Sequence, residues 1–223
     1  MTKNLGRVDE LTKKLNLKTN QSNLGIAHTR WATHGIPSEK NAHPHHSKNI
    51  FVVHNGIIEN HDDLRTYLKA EGIRFSTQTD TEVIGHLIRT FTEKGQSFEK
   101  AVFNAIKKLK GAYALGIIDK NNPEQIIGVR NQSPLVLGKG FEENFIASDV
   151  MALAPVTNKF TYLDDGQVAL LTNHKTVVKN TSNKIIRTKT HEVDSNAYTN
   201  DMAGFSHFMD KEIFEQPEAV KNS

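Results

Sequence analysis

Residues 112–138, AYALGIIDKNNPEQIIGVRNQSPLVLG, hold three short apolar runs, AYALGIID, QIIGVR and PLVLG, cut apart by Asn, Asp, Pro and Gly. Runs of this length, rich in β-branched residues and bounded by turn formers, read as strands joined by tight connections. The series continues with NFIAS (144–148), QVALL (167–171), TVV (176–178) and KIIRT (184–188). No helix-length pattern separates them, so neighbouring strands are expected to pair antiparallel. Upstream the pattern lengthens. His61–Glu71 reads as a helix stopped by Gly72, and Thr81–Lys94 as a second, opened by the capping box Thr79-x-x-Glu82 and closed by Gly95. A third begins at the N-cap Ser97, with Phe98, Val102, Ala105, Ile106 and Leu109 on one stripe. Leu24–Thr29 and Ile50–His54 (IFVVH) read as strands, the second apolar enough for burial on both faces. Residues 3–15 read as an amphipathic helix with Leu5, Val8, Leu11 and Leu15 on one side. Helices first and strands after them place the chain in the α+β class, two antiparallel sheets with helices outside, rather than among doubly wound parallel folds.

Composition narrows what such a domain can do. With 223 residues, 37% of them apolar, the chain can build one domain with a real core. Net charge is +3, and basic and acidic residues alternate without a like-charge block, which describes a solvated surface and argues against nucleic acid. No apolar run approaches the roughly 18 residues of a spanning helix, and the first residues lack a signal-peptide core, so the expected place is the cytoplasm, away from membranes. There is no cysteine among the 223 residues, hence no disulfide, thiolate metal site or cysteine nucleophile within them.

The chemistry gathers at strand ends. HTRWATHG (28–35) packs two His, an Arg, two Thr and the only Trp into eight residues, side chains that cost entropy to order unless a ligand is there to meet them. Arg30 suits a carboxylate, held bidentately, and Trp31 suits a lid. Asn55-Gly56 follows the buried IFVVH run, where a side-chain amide and a backbone N–H can converge on an oxyanion; the same pair also fits a tight hairpin turn. Asp80 fits either a helix cap or the receptor of an ammonium group, and in the second case Arg30 and Asp80 bracket an α-amino acid. Seven histidines between His28 and His61 invite a metal, but none has the helical spacing of a zinc motif, and neither metal nor cofactor is expected.

HTRWATHG, NAHPH (41–45), VHNGIIEN (53–60), TDTEV (79–83), LKGAYAL (109–115), SPLVLG (133–138) and FIASD (145–149) occur in this order. Together they resemble the glutaminase, or class II glutamine amidotransferase, domain of the glutamine–fructose-6-phosphate aminotransferases (isomerizing), the glucosamine-6-phosphate synthases. The resemblance implies the N-terminal-nucleophile (Ntn) fold, a four-layer sandwich of two antiparallel sheets between helices. It implies that Arg30 holds the α-carboxylate of L-glutamine, with Thr33 and His34 in the same loop. Trp31 closes over the site, His43 supports the loop, Asn55 and the Gly56 amide form the oxyanion hole, and Asp80 takes the ammonium. The activity implied is hydrolysis of glutamine to glutamate and ammonia, the ammonia serving glucosamine 6-phosphate synthesis in a homodimeric enzyme. Residues 1–205 would form this domain. Residues 206–223, with FMDKEIFEQP, would begin the linker toward a sugar-isomerase domain, where fructose 6-phosphate binds.

One departure stands out. The family attacks glutamine with a cysteine that is the first residue of the mature chain, its own α-amine acting as base. That cysteine, its strand and a further substrate-binding Arg segment have no counterpart here, so the fold is expected without its first strand and the chain inactive alone. Thr2 cannot replace the thiol, because an amphipathic helix rather than a buried strand follows it. A non-catalytic glutamine-binding or interaction module is the alternative reading.

Overall fold

The computed structural model describes residues 1–15, 22–193 and 204–222. They fall into two compact units, Met1–Glu192 and Val193–Ser223. The first unit contains α1 (Val8–Lys14), β1 (His45–Ser47), β2 (Ile50–Gly56), α2 (His61–Ala70), α3 (Glu82–Glu93), α4 (Phe98–Ile106), β3 (Tyr113–Asp119) and β4 (Ile126–Asn131). It continues with β5 (Val136–Lys139), β6 (Asn144–Ala147), β7 (Lys159–Tyr162), β8 (Val168–Leu171), β9 (Thr176–Lys179), β10 (Ile185–Ile186) and β11 (His191–Glu192). The second unit holds α5 (Phe208–Asn222), on which Phe214 stacks with Phe205 at 5.5 Å between ring centres. No helix among the described residues is long and apolar enough to cross a membrane.

Two antiparallel sheets form the first unit, one in the order β1-β2-β3-β4-β8-β9-β10 and one in the order β11-β7-β5-β6. The apolar runs of the larger sheet are continuous because both faces are buried, and each face takes alternate residues. Leu115 and Ile117 of β3, Ile127 and Val129 of β4, and Val168 and Leu170 of β8 pack toward α2, α3 and α4. Ala114, Ile126, Ala169 and Leu171 pack the other way, with Leu137 and Ile146 of the smaller sheet. The two sheets approach closely where β3 pairs Gly116 with Gly128 of β4. A Cβ on Gly116 would stand 3.0 Å from Ile146 Cδ1, and one on Gly128 3.4 Å from Ile146 Cγ2. Ile146 thus sits close over the backbone of the two glycines.

Most expected elements are present, with the Ser97 cap on Lys100 N–H and left-handed Gly72 and Gly95 ending their helices. Others differ for local reasons. Leu24–Thr29 carries no strand pairing; it runs alongside the site as irregular chain. The Thr79–Glu82 capping box does not form. Thr81 is the N-cap of α3 and makes no side-chain cap bond, while the Glu82 carboxylate accepts from Ser76 N–H, Ser76 Oγ, Thr77 N–H and Thr77 Oγ1 at 2.7–2.8 Å. Burial pushes the Glu82 carboxyl up, but the hydrogen bonds from His86, Ser76 and Thr77 together outweigh it and hold the group far below the usual range. Helix α1 is shorter than expected and buries none of its residues.

Candidate functional site

Strand β2 delivers the first part of the site. It pairs with β3 through Asn55 opposite Ala114 and Gly56 opposite Tyr113, so Asn55-Gly56 is the end of a strand and not a hairpin turn. Ile57 N–H donates to Ala112 O at 2.8 Å, which by the alternation of antiparallel pairs turns the Gly56 N–H away from β3. Gly56 lies at φ 117°, and a Cβ there would stand 2.0 Å from Ala112 O. Only glycine can hold this N–H where it is.

Asp80 comes from the turn before α3 and is buried. It caps nothing: its Oδ2 accepts from Ile58 N–H at 2.8 Å, fixing the carboxylate against the chain that leaves β2. His34 Nδ1 lies 3.9 Å from Oδ1 and His54 Nδ1 3.9 Å from Oδ2. His34 Nδ1 and His54 Nε2 are buried without a hydrogen-bond partner among the described residues. The turn is held from outside by Arg65, which donates to the carbonyls of Thr77 and Thr79 at 3.2 and 2.7 Å.

The 28–36 loop closes over these groups. Arg30, at φ 46°, turns its guanidinium inward and donates to the carbonyls of His34, Gly35 and Ile36 at 2.8, 2.9 and 3.2 Å. A guanidinium has five N–H donors, so these three bonds leave two for a ligand. Buried Asn41 ties this loop to the Asp80 turn: its Nδ2 donates to Ile36 O and Gln78 Oε1, and its Oδ1 accepts from Gln78 N–H. Trp31 stands on the rim, 88% exposed.

Beneath the loop lies a file of imidazoles. The His28 ring is 4.3 Å from His43, and His43 is 4.8 Å from His45. His43 Nδ1 accepts from His54 N–H, and Thr81 Oγ1 bonds both His43 and His54. Burial pushes the His43 pKa far down, that of His54 down, and that of His45 down to about 4. These rings are therefore neutral hydrogen-bonding scaffold at neutral pH. No cluster of three or more His, Asp or Glu suited to a metal ion occurs among the described residues.

A cavity of about 270 Å³ joins the parts, walled by Arg30, Trp31, Thr33, His34, His43, Asn55, Gly56 and Asp80 together with His28, His54, Ile57, Thr79 and Thr81. All eight residues singled out in the sequence line it. His28, Asn41, His54 and Thr81 were missed as site residues, though His28 stands in the same octapeptide as Arg30 and His54 directly precedes Asn55. A second hollow of about 460 Å³ adjoins at His28, His54 and Asn55, and runs between the sheets past Gly116, Leu135 and Ile146 to the edge strand β6.

The model of a family described as "Glutamine amidotransferase domain" matches residues 28–155, more than half of the chain. The glutamine–fructose-6-phosphate aminotransferase [isomerizing] of Buchnera aphidicola is 48% identical over 222 residues, and that of Escherichia coli K12 45% over 219. Each alignment covers 98% of this chain and 36% of the relative, so the chain spans about a third of the length of these proteins. Among solved structures, the glutamine phosphoribosylpyrophosphate amidotransferase of Bacillus subtilis superposes with a TM-score of 0.59 at 26% identity, covering 72% of this chain and 35% of that one. Pocket, fold and alignments agree: the chain belongs to the glutamine amidotransferases, as a domain homologous to part of glutamine–fructose-6-phosphate aminotransferase.

Proposed function

We propose that the pocket binds L-glutamine by its α-ammonium and α-carboxylate and presents its side-chain carbonyl to Asn55 and Gly56. The observation that carries this reading is the buried Asp80 carboxylate, which is fixed through Oδ2 by Ile58 N–H and lines the same cavity as Arg30 and Asn55. A buried carboxylate is costly unless a cation meets it, and the ammonium of an amino acid is such a cation. The remaining Arg30 donors take the α-carboxylate, Thr33 and His34 line that end, and Trp31 covers it. His43 supports the loop by packing on His28.

In the reaction this arrangement serves, a thiolate adds to the glutamine amide carbon and the oxygen gains charge facing Asn55 Nδ2 and Gly56 N–H. Ammonia leaves, and water cleaves the thioester to glutamate. The 223 residues contain no cysteine, so by themselves they supply recognition and oxyanion stabilisation without the attacking group. The domain extends over residues 1–205, and 206–223 begin the connection to a sugar-isomerase domain that takes fructose 6-phosphate. The whole enzyme is a cytoplasmic homodimer that uses the ammonia for glucosamine 6-phosphate.

Calorimetry tests the core of this. Glutamine should give a binding isotherm with the chain, and Asp80→Asn should abolish it, since Asn keeps an acceptor for Ile58 N–H and loses only the charge. Equal heats for the two proteins would overturn the assignment.

A further inference from the structure

Resting on the reading of the cavity as a glutamine site, we infer that His28 is a positioning residue: it fixes the Asn55 amide with its N–H donors toward the ligand and ties that orientation to the backbone of the loop carrying Arg30. Arg30 N–H donates to His28 Nδ1 at 2.8 Å. A neutral imidazole has one lone pair and one N–H, so accepting at Nδ1 places the proton on Nε2. His28 Nε2 lies 2.7 Å from the Asn55 carboxamide. The atom facing a donor must be an acceptor, which assigns Oδ1 to that contact and leaves Nδ2 for the cavity. A flipped carboxamide would set N–H against N–H.

The ring itself cannot swing away. It packs 4.3 Å from His43, and His43 is held by His54 N–H and by Thr81 Oγ1. Burial lowers the His28 pKa, with the hydrogen bond to Asn55 and that to the His54 backbone acting the other way and Arg30 reinforcing the decrease. The ring therefore stays in the form that relays.

A chain of two hydrogen bonds thus runs from the Arg30 backbone to the oxyanion donor. It joins the backbone of the loop that carries Arg30 to the Asn55 amide, and keeps that amide aimed while the loop holds this conformation.

The test uses the 223-residue chain with L-glutamine and with L-norvaline, which has the same α-ammonium and α-carboxylate and no side-chain carbonyl. His28→Phe keeps a ring of similar size and removes both nitrogens, and His28→Gln keeps a donor. Glutamine affinity should fall about three- to tenfold in His28→Phe, the effect of one hydrogen bond, with norvaline affinity unchanged and glutamine affinity restored in His28→Gln. An unchanged preference for glutamine over norvaline in His28→Phe overturns the inference. So does nitrogen NMR of the ligand-free chain at neutral pH, if it finds the His28 proton on Nδ1 or on both nitrogens rather than on Nε2 alone. That spectrum also covers a variant that fails to fold. Should the unsubstituted chain bind neither amino acid, the glutamine reading falls, and the position of this proton still decides for or against the relay.

Discussion

The two faces of the seven-stranded sheet are made of alternate residues of the same strands, but they carry different loads. On the helix side, Val83, Ile84, Leu87 and Ile88 of α3 and Ala101 and Val102 of α4 lie fully buried on Val52, Leu115 and Ile117. On the other side the smaller sheet meets β3, β4 and β8 through fewer buried side chains, and a hollow of about 460 Å³ remains open beside β6. One face is a finished core; the other is a core with space along one edge. The site sits where they meet, on the ends of β2 and the turn before α3. Its rigidity therefore comes from the helix side, and the open hollow lies beneath Asn55. Any segment that filled the hollow would arrive next to Asn55.

Substitutions should separate the two faces. Ile84→Ala on the finished side is expected to cost about 3–4 kcal/mol in urea denaturation, the transfer of the lost methyl groups plus a cavity that the packed helices cannot close. A cost below about 1 kcal/mol would abolish the contrast. Acid should act next most strongly, through the imidazoles at the seam. His45 titrates near 4 in the folded chain against an ordinary 6.5, so below pH 6.5 the unfolded chain takes up a proton that the folded one refuses. Stability is full above pH 6.5 and is lost progressively toward pH 4, by about 2–3 kcal/mol for this residue at about 1.4 kcal/mol per unit. His43 and His54 add loss in the same direction. Urea midpoints that do not change between pH 7 and 5 would contradict this.

Ile146→Ala on the open side should cost only about 1 kcal/mol, because its side chain is only partly buried. A short extended apolar peptide added in trans should raise the melting temperature by a few degrees, as it fills the hollow along β6 and adds a strand to its edge. No shift at saturating peptide would mean that the hollow does not take such a strand. The smallest effect belongs to Trp31→Ala, within about 0.5 kcal/mol without ligand because the side chain is 88% exposed. Its consequence should be confined to glutamine affinity.

Periodicity made β2, β3, β4, β8, β9 and β10 of the larger sheet legible, though not the short polar β1: continuous apolar runs with turn formers between them encode burial on both faces, and the order of helices and strands gave the class. The candidate site, as one cavity gathering these residues, was legible wherever chemistry and motif coincide, as in HTRWATHG and HNG. What escaped has a common cause. Glu82 has the spacing of a capping box, yet tertiary packing brings Ser76 and Thr77 within reach of its carboxylate, and four donors outcompete one cap. Leu24–Thr29 has the composition of a strand, but strand pairing needs a neighbour that composition does not report. Asn41 joins two loops distant in sequence, and no local pattern marks such a bond.

Arg30 bears on anyone who would retune this pocket for another amino acid. Its guanidinium, proposed above as the ligand's counter-charge, is also the peg around which His34, Gly35 and Ile36 are wound. Altering it changes the container along with the contents, so a selection for new specificity should leave position 30 fixed and vary the far wall first.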